Sequence, residues 1–298
     1  MTVDPTEPSG WRALFAGTAR QEFWLTACCL SFFSVYAVFN LSSFYWVDLR
    51  HYSVHDIFPY RPTGLLAFPW WRTLVDHPRL LGLIQYGFSL SCLVAAWSPR
   101  PFLVQRLAVI GLGYLYFALL NGYLRENNIE FLAFLVLLAF APVPAPAAGR
   151  SRVFSPACFL LWLLLALLYA NSAVTHALYH ERWITSGVAL KNLFLVKLNN
   201  DLNWTPLATG EVMTTLVMRT PNWIFWSMGL ATLVFDATFG VCLFFRRPRP
   251  YYLAFGLSFH LMCMLLMNIT FAPMFPVYVG LGLWEILERR MPAPLVTA

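Results

Sequence analysis

Charge is scarce in this chain: lysine and arginine number 20 and aspartate and glutamate 14 among 298 residues, so 11% of positions are charged. A typical soluble domain carries about 25%, and a chain this poor in charge has little with which to face water. Cysteine is lacking outside apolar stretches. Cys28, Cys29, Cys92, Cys158, Cys242 and Cys263 all fall inside hydrophobic runs, which excludes a disulfide framework in the loops and leaves them as small apolar packers. No soluble module interleaves basic and aromatic residues, so no nucleic-acid partner is expected. Internal repeats, low-complexity tracts and soluble appendages are missing too, and only the Pro/Ala hinge PVPAPAAGR at 142–150 interrupts the pattern. One domain over 1–298 is the expectation. The first 22 residues, with Asp4 and Glu7, lack the basic start and small-residue cleavage site of a signal peptide, so the first apolar run is expected to remain as an anchor.

What the chain has in excess is apolar surface. Hydrophobic residues make up 59%, aromatics 17%, and the mean hydropathy is +0.62, against roughly 45–50% apolar residues in soluble domains. Runs of about bilayer-spanning length cover Phe23 to Asn40, Leu80 to Trp97, Phe102 to Leu120, Glu130 to Val143, Ala157 to Val174, Trp223 to Phe245, Tyr251 to Thr270 and Phe271 to Ile286. These predict an all-α integral membrane protein, a polytopic bundle of about eight transmembrane helices with a range of six to eight. The fourth and eighth runs are short, and Pro273 and Pro276 are expected to interrupt the eighth.

Arginines set the orientation, because basic residues in short loops stay in the cytoplasm. With alternating spans, Arg12 and Arg20, Arg100 and Arg106, Arg150 and Arg152, the hairpin Arg246, Arg247 and Arg249, and Arg289 and Arg290 share one face, and both termini become cytoplasmic. The net charge of +6 belongs to that face. The long connections, about 42–79 and 175–222, then face outward and hold His51, His55, His77, His176 and His180. The first mixes aromatics, prolines and charges, as expected of backbone at headgroup level. In the second, VALKNLFLVKLNN from Val188 predicts a short interfacial helix that NNDLNWTP ends, and Trp183 and Gly187 read as a helix stop and interface anchor.

Titratable groups within apolar runs cost about 2.5 to 3.5 kcal/mol each on insertion scales, which makes them candidates for function. Asp236 and His260 lie in consecutive runs on either side of the arginine hairpin. Together with His176, Asn127, Asn128 and Glu130, each in or at the end of a run, they are expected to line one polar cavity near the outer leaflet. There an acid and a base would move a proton to or from a bound molecule. In the alternative, Asp236 bonds His260 and the asparagines cap helices, gluing the bundle. HYSVHD at 51–56 and HALYHE at 176–181 each place two histidines on one helical face ahead of an acid, a spacing that would suit zinc. Interfacial histidines without a metal are the expected reading.

Three segments carry a family resemblance. LVFDATFGVCLFFRRPRPYYLAFGLSFHLMCMLLMNITFAPMF resembles a membrane segment of the vitamin K-dependent gamma-carboxylases and their bacterial relatives, the HTTM domains. The shared order is an acid in one span, an arginine turn, a Phe-His pair and an Ile-x-Phe stretch. YLRENNIEFLAFLVLLAFAP resembles the family's paired asparagines opening an apolar helix, and YANSAVTHALYHERWITSG its tyrosine, basic pair, tryptophan and glycine.

The resemblance implies a helical bundle whose outward pocket handles a reduced quinone, a vitamin K-like hydroquinone, with Asn127, Asn128 and Glu130 on the cofactor side. The family's lysine pair falls by position on Thr175 and His176, so His176 takes the place of the general base, with His260 and Asp236 beside it. Ile129 stands where the family has a histidine after its asparagines, and the family's large lumenal half has no counterpart. Kinship of fold is therefore expected ahead of glutamate carboxylation itself. The expected function is a quinol- or lipid-dependent modification enzyme, a carboxylase-like lyase or a quinol-dependent oxygenase, acting in a bacterial cell membrane on a secreted peptide or protein. The alternatives are a non-catalytic maturation or immunity factor for a secreted peptide and a proton-coupled transporter.

Overall fold

In the computed structural model, residues 10–42, 78–98, 103–124, 152–179, 186–198, 210–267 and 274–290 are described. Their order is a 3₁₀ segment (Gly10–Phe15), α1 (Ala19–Ser42), α2 (Pro78–Trp97), α3 (Leu103–Leu124), α4 (Pro156–Tyr179), α5 (Val188–Leu198), α6 (Gly210–Arg219), α7 (Asn222–Thr238), α8 (Val241–Phe244), α9 (Arg249–Met267) and α10 (Met274–Arg290). Extended structure among the described residues is confined to Ala16–Gly17 and Val153–Phe154. The protein is therefore all-α, as its apolar runs predict.

Among the described residues, two stretches are long and apolar enough to cross a bilayer: Pro156–Leu178, and Asn222–Phe244, which spans α7 and α8. On α4 the faces can be compared directly. Leu161 and Leu165 are fully buried, whereas Leu167 and Leu178 are 57% and 65% exposed. A helix that is apolar both toward its core and away from it suits a hydrocarbon surrounding.

The chain divides into two compact units, residues 17–157 and residues 1–16 with 158–298. In the first, Thr18 opens α1 with a capping box: its backbone N–H donates to Gln21 Oε1 at 2.8 Å, and the Gln21 N–H returns to Thr18 Oγ1 at 3.4 Å. α1 packs on α2, and α2 on α3. Polar residues join the first pair: the Ser34 and Ser89 hydroxyls lie 2.9 Å apart, and Gln85 Nε2 donates to the Ala37 carbonyl. Small and polar contacts of this kind hold helices together where burying apolar surface gains nothing.

The second unit revises several expectations. α4 runs on to Tyr179, so His176 sits in a helical last turn and not in a loop. The connection after it contains the expected α5 and also α6, which apolar periodicity missed. Gly187 directly precedes α5. Its φ is +65°, its carbonyl accepts the Lys191 N–H, and an added Cβ would lie 2.4 Å from the Asn222 carbonyl oxygen and Trp226 nitrogen of α7. Lys191 Nζ then donates to the Met218 and Thr220 carbonyls at 2.9 and 2.8 Å, capping α6. Leu190 and Phe194 of α5, Val217 of α6, Phe225 of α7 and Cys263 of α9 form the core of this region. α10 is unbroken from Met274 to Arg290. Pro276 falls in its first turn, where the missing N–H has no helical acceptor to lose.

Candidate functional site

The arginine hairpin does not behave as a solvated loop. Arg249 is fully buried. Its Nε donates to the Cys242 carbonyl at 2.9 Å and its Nη1 to the Leu14 carbonyl at 2.8 Å, with Glu285 Oε1 at 3.4 Å. The guanidinium lies over the Phe15 ring at 4.6 Å and the Trp162 ring at 5.0 Å, a stacked arrangement that only a planar cation can make. Arg246 meets Glu288 at 2.6 Å and the carbonyls of Ala13, Leu14 and Ala16. Both arginines therefore close the last turn of the 3₁₀ segment, where carbonyls lack helical donors.

Further along the same helices lies a second polar cluster. Tyr169, Ser172 and His176 share one face of α4, spaced by one turn each. The Tyr169 hydroxyl is 2.8 Å from His260 Nε2 of α9, with donor and acceptor set by the tautomer, and it also bonds the Tyr278 hydroxyl of α10. One turn on, Ser172 Oγ donates to Asp236 Oδ2 of α7 at 2.7 Å. Asp236 is 3% exposed and His260 4%. Asp236 and His260, which the alternative reading bonds to each other, are each held by α4. Asp236 Oδ1 is buried without a hydrogen-bond partner among the described residues, a costly state for a carboxylate oxygen unless a donor reaches it.

Aromatic rings seal this cluster. Tyr169 packs on Phe235 at 5.0 Å and Phe239 at 4.5 Å between centroids, and Phe235 on Phe255 at 4.7 Å. Gly256, one turn before His260 on α9, makes the approach of α10 possible: an added Cβ would lie 2.6 Å from the Tyr278 ring. Glycine at that position brings the Tyr278 hydroxyl to Tyr169.

Comparison with known proteins adds nothing to this geometry. No family model matches the chain, and no curated protein or solved structure matches it.

Of the expected site residues, Asp236 and His260 thus come to one cluster through α4, and His176 lies one helical turn beyond Ser172 toward the end of that helix. Asn127, Asn128 and Glu130 lie outside the described residues, as do Trp183 and the histidines at 51, 55, 77 and 180. Among the described residues no group of three or more His, Cys, Asp and Glu side chains is placed to hold a metal ion. Sequence reasoning missed Tyr169, Ser172 and Tyr278. The available signal was the run of hydroxyl-bearing residues at helical spacing ahead of His176.

Proposed function

We propose that this protein is a polytopic membrane protein of the gamma-carboxylase-like, HTTM type, with about eight spans and both termini cytoplasmic, that binds a reduced quinone in an outward-facing polar pocket and uses it to modify a secreted peptide or protein. A bacterial cell membrane is its proposed location. One observation carries the reading: Tyr169 joins the His260 imidazole to the Tyr278 hydroxyl inside an aromatic shell, one turn from a carboxylate with an open acceptor. A merely adhesive pair would satisfy itself.

The residues fit a hydroquinone. Asp236 Oδ1 is an acceptor for a hydroxyl donor, in an aromatic surrounding of the kind a planar ring favours. Such a group supplies an ionisable hydroxyl and reducing electrons when bound. The chain's own part is to take and hold a proton. His260 exchanges one with the Tyr169 hydroxyl across their 2.8 Å contact, while Ser172 fixes Asp236 Oδ2 so that Oδ1 stays turned to the donor. The aromatic shell excludes water that would compete for both. His176, at the end of α4, stands as the proposed outer base, with Asn127, Asn128 and Glu130 on the cofactor side.

The test is thermal stabilisation of detergent-purified protein against quinones and quinols, with His260→Ala and Asp236→Asn alongside. A quinol-specific rise lost in both variants is the expected result. A flat panel, with both variants only less stable, overturns the reading and leaves the cluster as adhesive.

A further inference from the structure

Between α9 and α10 runs a cavity of about 350 Å³, within the roughly 300–1,000 Å³ of small-molecule sites. Its walls are apolar, with Leu253 and Leu257 on α9 and Leu283 and Ile286 on α10, and its two ends differ. Tyr278 closes one end and Glu285 and Arg289 mark the other. Along α10, the rise of 1.5 Å per residue puts about 16 Å between Tyr278 and Arg289, close to half of the roughly 30 Å hydrocarbon thickness. The groove is one leaflet deep.

Charge at its mouth decides the occupant. Glu285 is already engaged by Arg249 at 3.4 Å, and Glu288, on the same turn, by Arg246 at 2.6 Å. Arg289 is exposed and has no hydrogen bond or ion pair among the described residues. With both acids neutralised internally, Arg289 is the cation among the described residues that line this apolar channel of acyl-chain length. We infer that this groove is a binding site for an anionic phospholipid, one acyl chain lying between α9 and α10 and the phosphate on Arg289. A zwitterionic phospholipid brings the same phosphate but sets a quaternary ammonium beside it, which offsets the charge that the Arg289 guanidinium meets, whereas an anionic headgroup keeps it whole. The site meets the Tyr169–His260–Asp236 cluster only at Tyr278 and does not depend on the reaction proposed for it.

The full chain, reconstituted in bilayer discs of phosphatidylcholine alone or with phosphatidylglycerol, gives the test by native mass spectrometry and thermal unfolding. Phosphatidylglycerol is expected to be retained preferentially and to raise the unfolding temperature. Arg289→Gln is expected to weaken that preference about fivefold, the scale of one basic residue near a membrane surface, and Arg289→Lys to keep most of it. Gly282 lines the groove with open space where its Cβ would be, so Gly282→Leu fills the channel without striking backbone and is expected to lower retention of both lipids. Equal retention of the two lipids, an Arg289→Gln protein that keeps its preference, or a Gly282→Leu protein that retains lipid as before would each overturn the site. Protection by a neutral isoprenoid quinone with none by phosphatidylglycerol would overturn it as well.

Discussion

The hairpin between α8 and α9 and the cluster around Tyr169 both bury ionisable groups in apolar surroundings, yet they are built on opposite principles. At the hairpin, Arg246 and Arg249 each have a carboxylate, backbone carbonyls and, for Arg249, aromatic faces beside the charge, with Arg249 Nη2 the one buried donor left over among the described residues. Around Tyr169, an imidazole and a carboxylate are tethered by neutral hydroxyls, and one carboxylate oxygen is left open. Compensated charge stabilises architecture. An uncompensated acceptor costs stability and is retained where a ligand completes it.

The comparison breaks most decisively at Arg249. Truncating it to Leu strands Glu285 and two carbonyls in a buried site, a loss on the order of 3–5 kcal/mol for a buried pair with one partner removed. Arg249→Leu is therefore expected to give little folded protein by size-exclusion chromatography. Pairing it with Glu285→Leu is expected to recover much of the loss, because the uncompensated charge then disappears. Arg249→Lys is not expected to rescue, since a compact ammonium has no planar face to lay on the Phe15 and Trp162 rings while it reaches the Cys242 and Leu14 carbonyls. Normal yield and melting of Arg249→Leu would mean that the hairpin is not a keystone and that the contrast fails.

Glycine positions come next. At Gly187, a methyl group meets the Asn222 carbonyl oxygen and the Trp226 nitrogen at 2.4 Å on top of a positive φ, so Gly187→Ala strains backbone that cannot step aside. Gly256→Ala meets only the Tyr278 ring, which can move, and overpacking of this kind costs typically 1–3 kcal/mol. Gly256→Ala is expected to lower the melting temperature moderately and to shift Tyr278 off Tyr169, seen as a changed tyrosine ultraviolet difference spectrum. A melting loss without a spectral change would detach Gly256 from the cluster.

Most of the described helices were legible because spanning length and apolar composition are local properties: α1, α2, α3, α4, α7 continued by α8, α9 and α10 begin and end within about five residues of the apolar runs, while the run from Glu130 to Val143 lies outside the described residues. α6 escaped because it is one short, threonine-containing helix without a long run. Arg249 escaped for a different reason. In RRPRP it reads as a solvated turn, and only the packing of Phe15, Trp162 and Glu285 around it reveals a buried cation. The cluster was half legible. Asp236 and His260 stand out against hydrocarbon, but which hydroxyls answer them depends on how α4, α9 and α10 pack, and tyrosine in an aromatic-rich chain carries no local mark.

Asp236→Asn sharpens the comparison from the other side. The amide oxygen still accepts from Ser172, and an uncompensated charge is removed, so stability is expected to hold or rise slightly, by about 1 kcal/mol or less, while quinol stabilisation is lost. A pronounced fall in melting temperature would place Asp236 with the hairpin arginines as part of the architecture.

Lys191 supplies the smallest and most discriminating case. Its ammonium is spent wholly on the Met218 and Thr220 carbonyls at the end of α6, with the Phe225 ring 5.9 Å away. Lys191→Met keeps the aliphatic stem and loses two charge-assisted hydrogen bonds at a partly exposed helix end, where water can take over part of their role. A loss of under about 1 kcal/mol is expected, with faster amide exchange confined to α6 by mass spectrometry. Cooperative loss of α5 to α7 would instead give this cation the keystone role of Arg249, and burial would no longer separate the charges that hold the fold from those that only trim it.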